Sequence, residues 1–329
     1  MTGVPAASIV VPCFNGGRFL GEALDSLQQQ TFQDWECIVI DDGSKDDSAR
    51  IAETYAGQDS RFSCVRQPNR GPSAARNAGL ALAKGQYVQL LDADDLLEAE
   101  KLQVHVAFLA QHPEFAMVYS TMRYFTDTGG VRTFSRGWNR TQRDWMRLWP
   151  DTTEKLIVAL VEGNTFPISA PLFRRSELEE VGYFDDALPS HEDWDFWLRW
   201  AFAGKRFHGL DAPGTRTLVR EHAESLSRNT ITMAETRLMV RERVAKLASG
   251  SGALLQRNVQ CRSYDECNLG AAYMAAGRWK AGMRVYLRGL TGAPRKLRAL
   301  RLLAAHLAPG WVLLLWRRLR WGAPMQDSR

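Results

Sequence analysis

Four short apolar runs set the outline of this chain: Ser8–Pro12, Trp35–Ile40, Phe62–Val65 and Tyr87–Leu91, spaced about 25 residues apart. Between them lie stretches with helical spacing. In Arg18–Gln30 the apolar residues Phe19, Leu20, Ala23, Leu24 and Leu27 fall on one face of a helix. Ser44 to Tyr55 predicts a second helix, opened by Ser44 and Asp47 as a capping box. Ser73 to Ala83 predicts a third, whose small residues must pack closely. Strand and helix alternating at this spacing predict an α/β fold with a doubly wound, mainly parallel, Rossmann-like sheet. Further on, the pattern predicts a helix to Gln111, a strand at Phe115–Ser120, and a hairpin and long loop over Thr121–Pro150. A helix near Lys155–Val161, a strand near Ile168–Phe173 and an aromatic helix from Glu192 to Ala203 follow. After Leu226 the pattern is helical to the end, an all-helical C-terminal extension.

The Tyr87 strand stops on three carboxylates, Asp92, Asp94 and Asp95. Acids crowded at a strand end repel one another, and a hard divalent cation with oxygen ligands relieves that repulsion. In open α/β sheets, ligands sit outside the carboxyl ends of the strands. The competing reading is a solvated acidic turn, with Asp95 capping a helix that starts near Glu98. The second strand also ends on acids, Asp41 and Asp42, and Asp42 can instead cap the following helix.

The 329 residues, 45% hydrophobic, suffice for a large core or for a domain of about 230 residues plus an extension. Five cysteines without a Cys-x-x-Cys point away from a disulfide framework or a zinc site, and a reducing cytosol fits. The start lacks a charged segment followed by an apolar core, so no signal peptide is expected. The longest apolar stretch, Leu302–Trp316, falls short of the roughly 20 residues of a spanning helix and holds His306, Pro309 and Gly310. Net charge is +5, unevenly spread. Residues 278–329 hold twelve Lys or Arg and one acid, Asp327, leaving the first 277 residues at −6. Such a tail meets a polyanion or an anionic membrane. Trp311–Trp316 followed by Arg317-Arg-Leu-Arg320 suits a helix lying in a membrane interface, against a helical hairpin packed on the rest of the chain. No nucleic-acid-binding motif accompanies the charge.

Six ordered elements resemble glycosyltransferase family 2, with the GT-A fold. They are Ser8-Ile-Val-Val-Pro-Cys-Phe-Asn15, Glu36-Cys-Ile-Val-Ile-Asp-Asp-Gly-Ser-Lys-Asp-Asp-Ser48, Asn69-Arg-Gly-Pro-Ser-Ala-Ala-Arg-Asn-Ala-Gly79, Gly85 through Asp95 with its Asp-x-Asp, Gly182-Tyr-Phe-Asp185 with His191-Glu-Asp-Trp-Asp-Phe-Trp-Leu-Arg199, and Arg220-Glu-His222. The resemblance covers about two thirds of the chain. It implies a glycosyltransferase domain over residues 1–226, with a nucleotide-sugar-binding half at 1–120 and an acceptor half at 121–226, and a basic helical extension over 227–329.

The resemblance implies that Asp94 binds a divalent metal, Mn²⁺ or Mg²⁺, that Asp92 lies near the ribose and the ion, and that His222 is a third group near the ion or diphosphate. Asp41 is expected to accept the N3–H of a uracil on which Phe14 stacks, with Pro12 and Asn15 shaping the pocket; core filling is the rival role for Phe14. Gly71 lets backbone approach the nucleotide. Arg76 sits at a helix start, where a cation opposes the dipole, so it is expected to meet a ligand or form an ion pair. Asp193 is the expected catalytic base, with Asp195 the fallback. Trp194, Phe196 and Trp197 are expected in the core.

One base and no enzymic nucleophile imply an inverting, metal-dependent, in-line transfer from a nucleotide sugar, a UDP-sugar first, to a hydroxyl of a cell-envelope, polysaccharide or lipid-linked glycan. The Thr121–Pro150 loop would order as a lid once the nucleotide binds. The setting would be cytoplasmic, peripheral at the inner membrane, with membrane contact through the basic helices; nothing fixes the oligomeric state. The alternatives are a non-catalytic nucleotide-sugar or glycan-binding module of the same fold and a nucleotidyltransferase. For the last, Asn15-Gly-Gly-Arg18 lacks the form of a phosphate loop.

Overall fold

A computed structural model describes residues 3–128, 131–136, 146–149, 153–222 and 229–292. The chain divides into two compact units, Met1–Leu226 and Ser227–Arg329.

The first unit opens with the predicted alternation: β1 (Ala7–Cys13), α1 (Gly17–Gln28), β2 (Trp35–Asp41), α2 (Ser48–Gln58), β3 (Phe62–Arg66), α3 (Pro72–Leu82) and β4 (Tyr87–Leu90). Next come β5 (Leu96–Leu97), α4 (Lys101–Gln111), β6 (Met117–Ser120) and the antiparallel hairpin of β7 (Met122–Thr128) and β8 (Val131–Ser135). Then follow α5 (Thr153–Glu162), β9 (Pro171–Arg174), α6 (Leu178–Val181), α7 (Glu192–Phe202), β10 (Phe207–Leu210) and β11 (Thr217–Arg220).

Seven strands form one sheet in the order β10-β6-β9-β4-β1-β2-β3. β1 pairs in parallel with β2 and β4, β2 with β3, and β6 with β10, while β9 runs antiparallel between β4 and β6. The chain leaves β1 toward β2 and β3, then returns to place β4 on the other side of β1. That reversal opens a crevice beyond the carboxyl ends of β1 and β4, where ligands of such sheets bind. A smaller sheet, β5-β11-β7-β8, carries the late part of the unit.

The main sheet is apolar on both sides, as a covered parallel sheet must be. Ile9 and Val11 of β1 pack in one cluster with Leu20, Leu24 and Leu27 of α1 and with Leu102, Val106 and Leu109 of α4. On the opposite face α3 comes so close that a Cβ on Gly79 would sit 2.3 Å from Val10 Cγ1. Phe173 of β9 meets Phe196, Trp197 and Trp200 of α7 edge-on, so the aromatic residues of α7 are core, as their spacing predicted.

Two local expectations fail. The helix expected near Glu98 starts at Lys101, because Leu96 and Leu97 first pair with β11 as a short antiparallel strand. Ser44 caps nothing; its Oγ accepts from Asn15 N at 2.9 Å, and the N-cap position of α2 falls to Asp47.

In the second unit the described residues form α8 (Thr230–Leu247), α9 (Gly252–Ala275) and α10 (Trp279–Gly292). Arg241 of α8 is buried against Asp265 of α9 at 2.7 Å. The interfacial helix expected at Trp311–Arg320 lies outside the described residues, as do 129–130, 137–145 and 150 of the expected lid. Among the described residues no helix is long and apolar enough to cross a membrane.

Candidate active site

At the carboxyl end of β1 the backbone turns sharply. Asn15 takes φ +50°, and its Oδ1 accepts from Lys45 N at 2.8 Å, which ties this turn to the one after β2. Half-buried Pro12 pairs with Ile40 in the last part of β1, and the Phe14 ring beyond it is 50% exposed. Core filling is therefore excluded for Phe14, and an open aromatic face stands at the rim of the crevice. Asp41 is 1% exposed. One of its oxygens accepts from Ser44 N at 3.1 Å and the other from Arg66 Nε at 3.1 Å. Asp42 caps no helix. It accepts from Arg70 N at 3.0 Å, Gly71 N at 2.8 Å and Gln67 Nε2 at 2.7 Å, and so holds the loop that leads to α3. Gly71 adopts φ +89°, a left-handed conformation that a side chain would strain.

Beyond β4 the three acids gather: one oxygen from each of Asp92, Asp94 and Asp95 lies within 4.8 Å of the others. Asp95 is no helix cap. It is buried, its Oδ2 accepts from Ser169 Oγ at 2.9 Å, and its Oδ1 accepts from Arg220 N at 3.2 Å. Asp92 N in turn donates to Ser169 Oγ at 3.1 Å, so one hydroxyl spaces two of the acids. Burial and the charges of Asp94 and Asp92 push the Asp95 carboxyl well above its ordinary range. Burial raises Asp92 too, with Arg76 opposing and Asp94 adding to the shift. His222, just past β11, places Nε2 2.8 Å from Asp94 Oδ2. Arg220 Nε donates to the Asp94 carbonyl at 3.0 Å, and its guanidinium lies 4.7 Å from the centre of the Phe19 ring.

An all-carboxylate set joined by one imidazole fits a hard divalent cation of the Mn²⁺ or Mg²⁺ kind. Both Asp95 oxygens already have protein partners, so Asp94 and Asp92 are the natural first ligands, with His222 beside them.

Across the crevice, His191 turns the chain into α7 at φ +55°. Asp193 in the first turn of α7 keeps partial exposure. Its Oδ2 accepts from Asn164 Nδ2 at 2.6 Å and its Oδ1 from Trp194 N at 2.7 Å. Burial and the neighbouring Glu192 charge push the Asp193 carboxyl up to about 7. A carboxyl poised there suits a proton acceptor working near neutral pH. Asp195 is 2% exposed and paired with Arg199 at 3.0 Å one turn along α7, a helix brace instead.

Arg76 joins the two sides. Its side chain is 5% exposed, and the guanidinium pairs with Asp92 at 2.8 Å and with Glu192 at 2.6 Å. The ion pair expected at this helix start is thus made with two protein carboxylates. Ser169, Arg220, Glu192 and Asn164 complete the arrangement and were not singled out from the sequence. Arg220 and Glu192 sat inside quoted motifs; Ser169 and Asn164 carried no motif at all.

The profile of the family described as "Glycosyl transferase family 2" matches residues 8–180. The putative glycosyltransferase EpsH of Bacillus subtilis is 32% identical over 176 residues, which make up 53% of this chain and 48% of that protein; the match thus spans about half the length of that relative. Among solved structures, Staphylococcus aureus TarS 1-349 in complex with UDP-GlcNAc superposes with a TM-score of 0.66 at 20% identity, covering 95% of this chain and 87% of that one. The mannosyltransferase PcManGT of Pyrobaculum calidifontis, in complex with GDP-Man and Mn²⁺, gives 0.56 at 18% identity, covering 96% and 89%. These likenesses place the fold among GT-A enzymes.

Proposed function

Because this chain belongs to glycosyl transferase family 2, we propose that it is an inverting, metal-dependent glycosyltransferase. It moves a sugar from a nucleoside diphosphate sugar to a hydroxyl of a glycan acceptor, as in cell-envelope, polysaccharide or lipid-linked glycan synthesis. The observation that carries this reading is the facing of two unlike carboxylate sets, Asp92, Asp94 and Asp95 with His222 on one side and Asp193 on the other, joined through Arg76.

In this reading residues 1–120 bind the nucleotide and residues 121–226 the acceptor. The nucleotide lies in the crevice with its base near Phe14, Asn15, Pro12 and Asp41, and with Gly71 giving backbone access. Asp94 and Asp92 would hold the divalent cation, which when bound supplies Lewis-acid stabilisation of the departing diphosphate. Arg76 fixes the Asp92 carboxylate and sets its distance from the acceptor side. Asp193 takes the proton of the acceptor hydroxyl as that oxygen bonds to the anomeric carbon. The bond from that carbon to the diphosphate oxygen breaks on the opposite face, and the nucleoside diphosphate leaves with the electron pair. A single displacement without an enzymic nucleophile inverts the anomeric configuration.

The named ligands of the solved neighbours, UDP-GlcNAc, GDP-Man and Mn²⁺, set the first trial. A thermal-shift panel of nucleotide sugars, with and without Mn²⁺, should show stabilisation by one nucleotide class only when Mn²⁺ is present. A panel in which no nucleotide raises the melting temperature would overturn the reading.

The reading includes peripheral contact of the basic C-terminal region with a membrane on its cytoplasmic side. On α10, Trp279, Met283 and Leu287 are 54%, 42% and 50% exposed at four-residue spacing, next to Lys280 and Arg284. Failure of the full chain to sediment with anionic vesicles at low salt would remove this part.

A further inference from the structure

Asp193 stands in the first turn of α7, and the Trp194 N donor holds its Oδ1 at 2.7 Å. Its Oδ2 takes one donor among the described residues, the Asn164 side chain, with Nδ2 at 2.6 Å. Asn164 arrives from another element. α5 ends at Glu162, and Gly163 N donates to the Ala159 carbonyl at 3.0 Å to close its last turn. Trp194, next to Asp193 and fully buried, donates from Nε1 to the Leu160 carbonyl at 2.7 Å. The end of α5 is thus fixed to α7 through the indole, and the turn that follows carries the amide back to the carboxylate.

Chemistry fixes the sense of that amide. Turned over, Oδ1 would face a carboxylate oxygen, acceptor against acceptor. With Nδ2 on Asp193, Oδ1 is closed off from solvent and has no partner among the described residues. Folded proteins pair almost all such atoms, and exceptions gather where function needs the arrangement. The charges around Asp193 are Glu192 beside it on α7 and Arg76 from α3, with Glu162 ending α5 two residues before Asn164. Burial and Glu192 raise the Asp193 carboxyl, while the Asn164 donor, Arg76 and Trp194 N oppose the rise. An N–H aimed at a carboxylate favours its ionised form, the form that can accept a proton.

We propose that Asn164 is the positioning residue of the base: through Nδ2 it sets the orientation of the Asp193 carboxylate and keeps it ready to take the proton of the acceptor hydroxyl. The proposal rests on Asp193 as the base of the transfer read above. Asn164 itself touches neither donor nor acceptor in this scheme and acts only through Asp193.

The test has two arms on the full chain. In one, carbon-13 NMR follows the aspartate carboxyls through a pH titration, the Asp193 signal being the one missing in Asp193→Asn. In the other, hydrolysis of UDP-GlcNAc and of GDP-Man in Mn²⁺, with water as the acceptor, is measured over the same pH range. In wild type the Asp193 midpoint lies at about 7. Asn164→Ala should raise it by about half a unit or more, because a donor to the ionised form is lost. Its kcat should fall about tenfold, a part of the roughly 10²–10⁴ that a general base supplies, with KM for the sugar nucleotide within about twofold. Asn164→Asp, of the same shape, sets a second acid against Oδ2 and should raise the midpoint most. Asn164→Gln keeps the amide donor and should bring midpoint and rate back toward wild type. A midpoint unmoved in both Asn164→Ala and Asn164→Asp, with the rate lowered alike at every pH, would make Asn164 a structural residue and overturn the proposal. So would a loss of UDP or GDP affinity in step with the rate, because the amide would then serve the nucleotide. Undiminished hydrolysis in Asp193→Asn would instead sink the base reading beneath the proposal. If wild type hydrolyses neither donor, the transfer reading fails for those two sugars by itself, while the carboxyl titration, which needs no donor, still decides whether Asn164 governs Asp193.

Discussion

The two sides of the crevice are built in different ways. On the β1 and β4 side every acid is braced: Ser169 and Arg220 hold Asp95, His222 meets Asp94, and Arg76 holds Asp92. On the α7 side, Asp193 accepts from the Asn164 side-chain amide and from the backbone N of its neighbour Trp194, partners supplied by a turn and by its own helix start. A satisfied network fixes a geometry that serves the same chemistry every time. The difference teaches that the acid cluster is fixed by partners distant in the chain, Ser169, Arg220 and His222 among them, whereas Asp193 is fixed by a turn and a helix start.

The largest expected effect lies on the α7 side. Asp193→Asn should lower the rate of transfer about 10²–10⁴-fold while nucleotide affinity changes little, as measured by single-turnover assays and calorimetry. In wild type, kcat/KM should fall tenfold per pH unit below about 7, because only the ionised Asp193 accepts a proton. The raised carboxyl also sets a stability slope. Between the ordinary Asp value of about 3.9 and about 7, the native state keeps a proton that the unfolded chain has lost, so this group makes stability fall as pH rises through that window. Asp193→Asn should remove both the acid limb and this slope. A variant that keeps the limb would move the base elsewhere and break the contrast between the sides.

Next comes the bridge. Arg76→Met leaves Asp92 and Glu192 facing each other in a largely buried setting without their shared cation, and should cost about 3–5 kcal/mol in urea unfolding. Arg76→Lys should recover only part, because one ammonium cannot reach both carboxylates as a guanidinium fork does. An Arg76→Met protein as stable as wild type would show that the two sides stand independently. The smallest effect is expected at Ser169→Ala, about 1 kcal/mol of stability, together with weaker stabilisation by Mn²⁺, since one hydroxyl spaces Asp92 and Asp95.

How far this was legible from the sequence follows the same division. The β1–β4 alternation could be read because each strand is a continuous apolar run and each helix keeps one apolar face. The acids at the strand ends announced themselves by mutual repulsion. β10 and β11, short and partly polar, and β5, only two residues long, escaped, and their pairing comes from the tertiary setting. Ser169 and Asn164 escaped for a related reason: Ser169 acts through hydrogen bonds to residues 74 and 77 positions away and Asn164 through one to a residue 29 positions away, which no local pattern encodes. The Ser44 capping box failed because Asn15, 29 residues earlier, took its hydroxyl. Arg76 was flagged through its conflict with the helix dipole, yet only the fold reveals which acids resolve that conflict.

The most direct measurement of the central claim is nucleotide affinity by calorimetry, with UDP and GDP, with and without Mn²⁺, in wild type, Asp94→Ala and Asp193→Asn. The account predicts that one nucleotide binds wild type at least tenfold tighter with Mn²⁺, that Asp94→Ala loses this gain, and that Asp193→Asn keeps it. Affinity indifferent to Mn²⁺ in wild type, or a gain lost in Asp193→Asn and retained in Asp94→Ala, would contradict it.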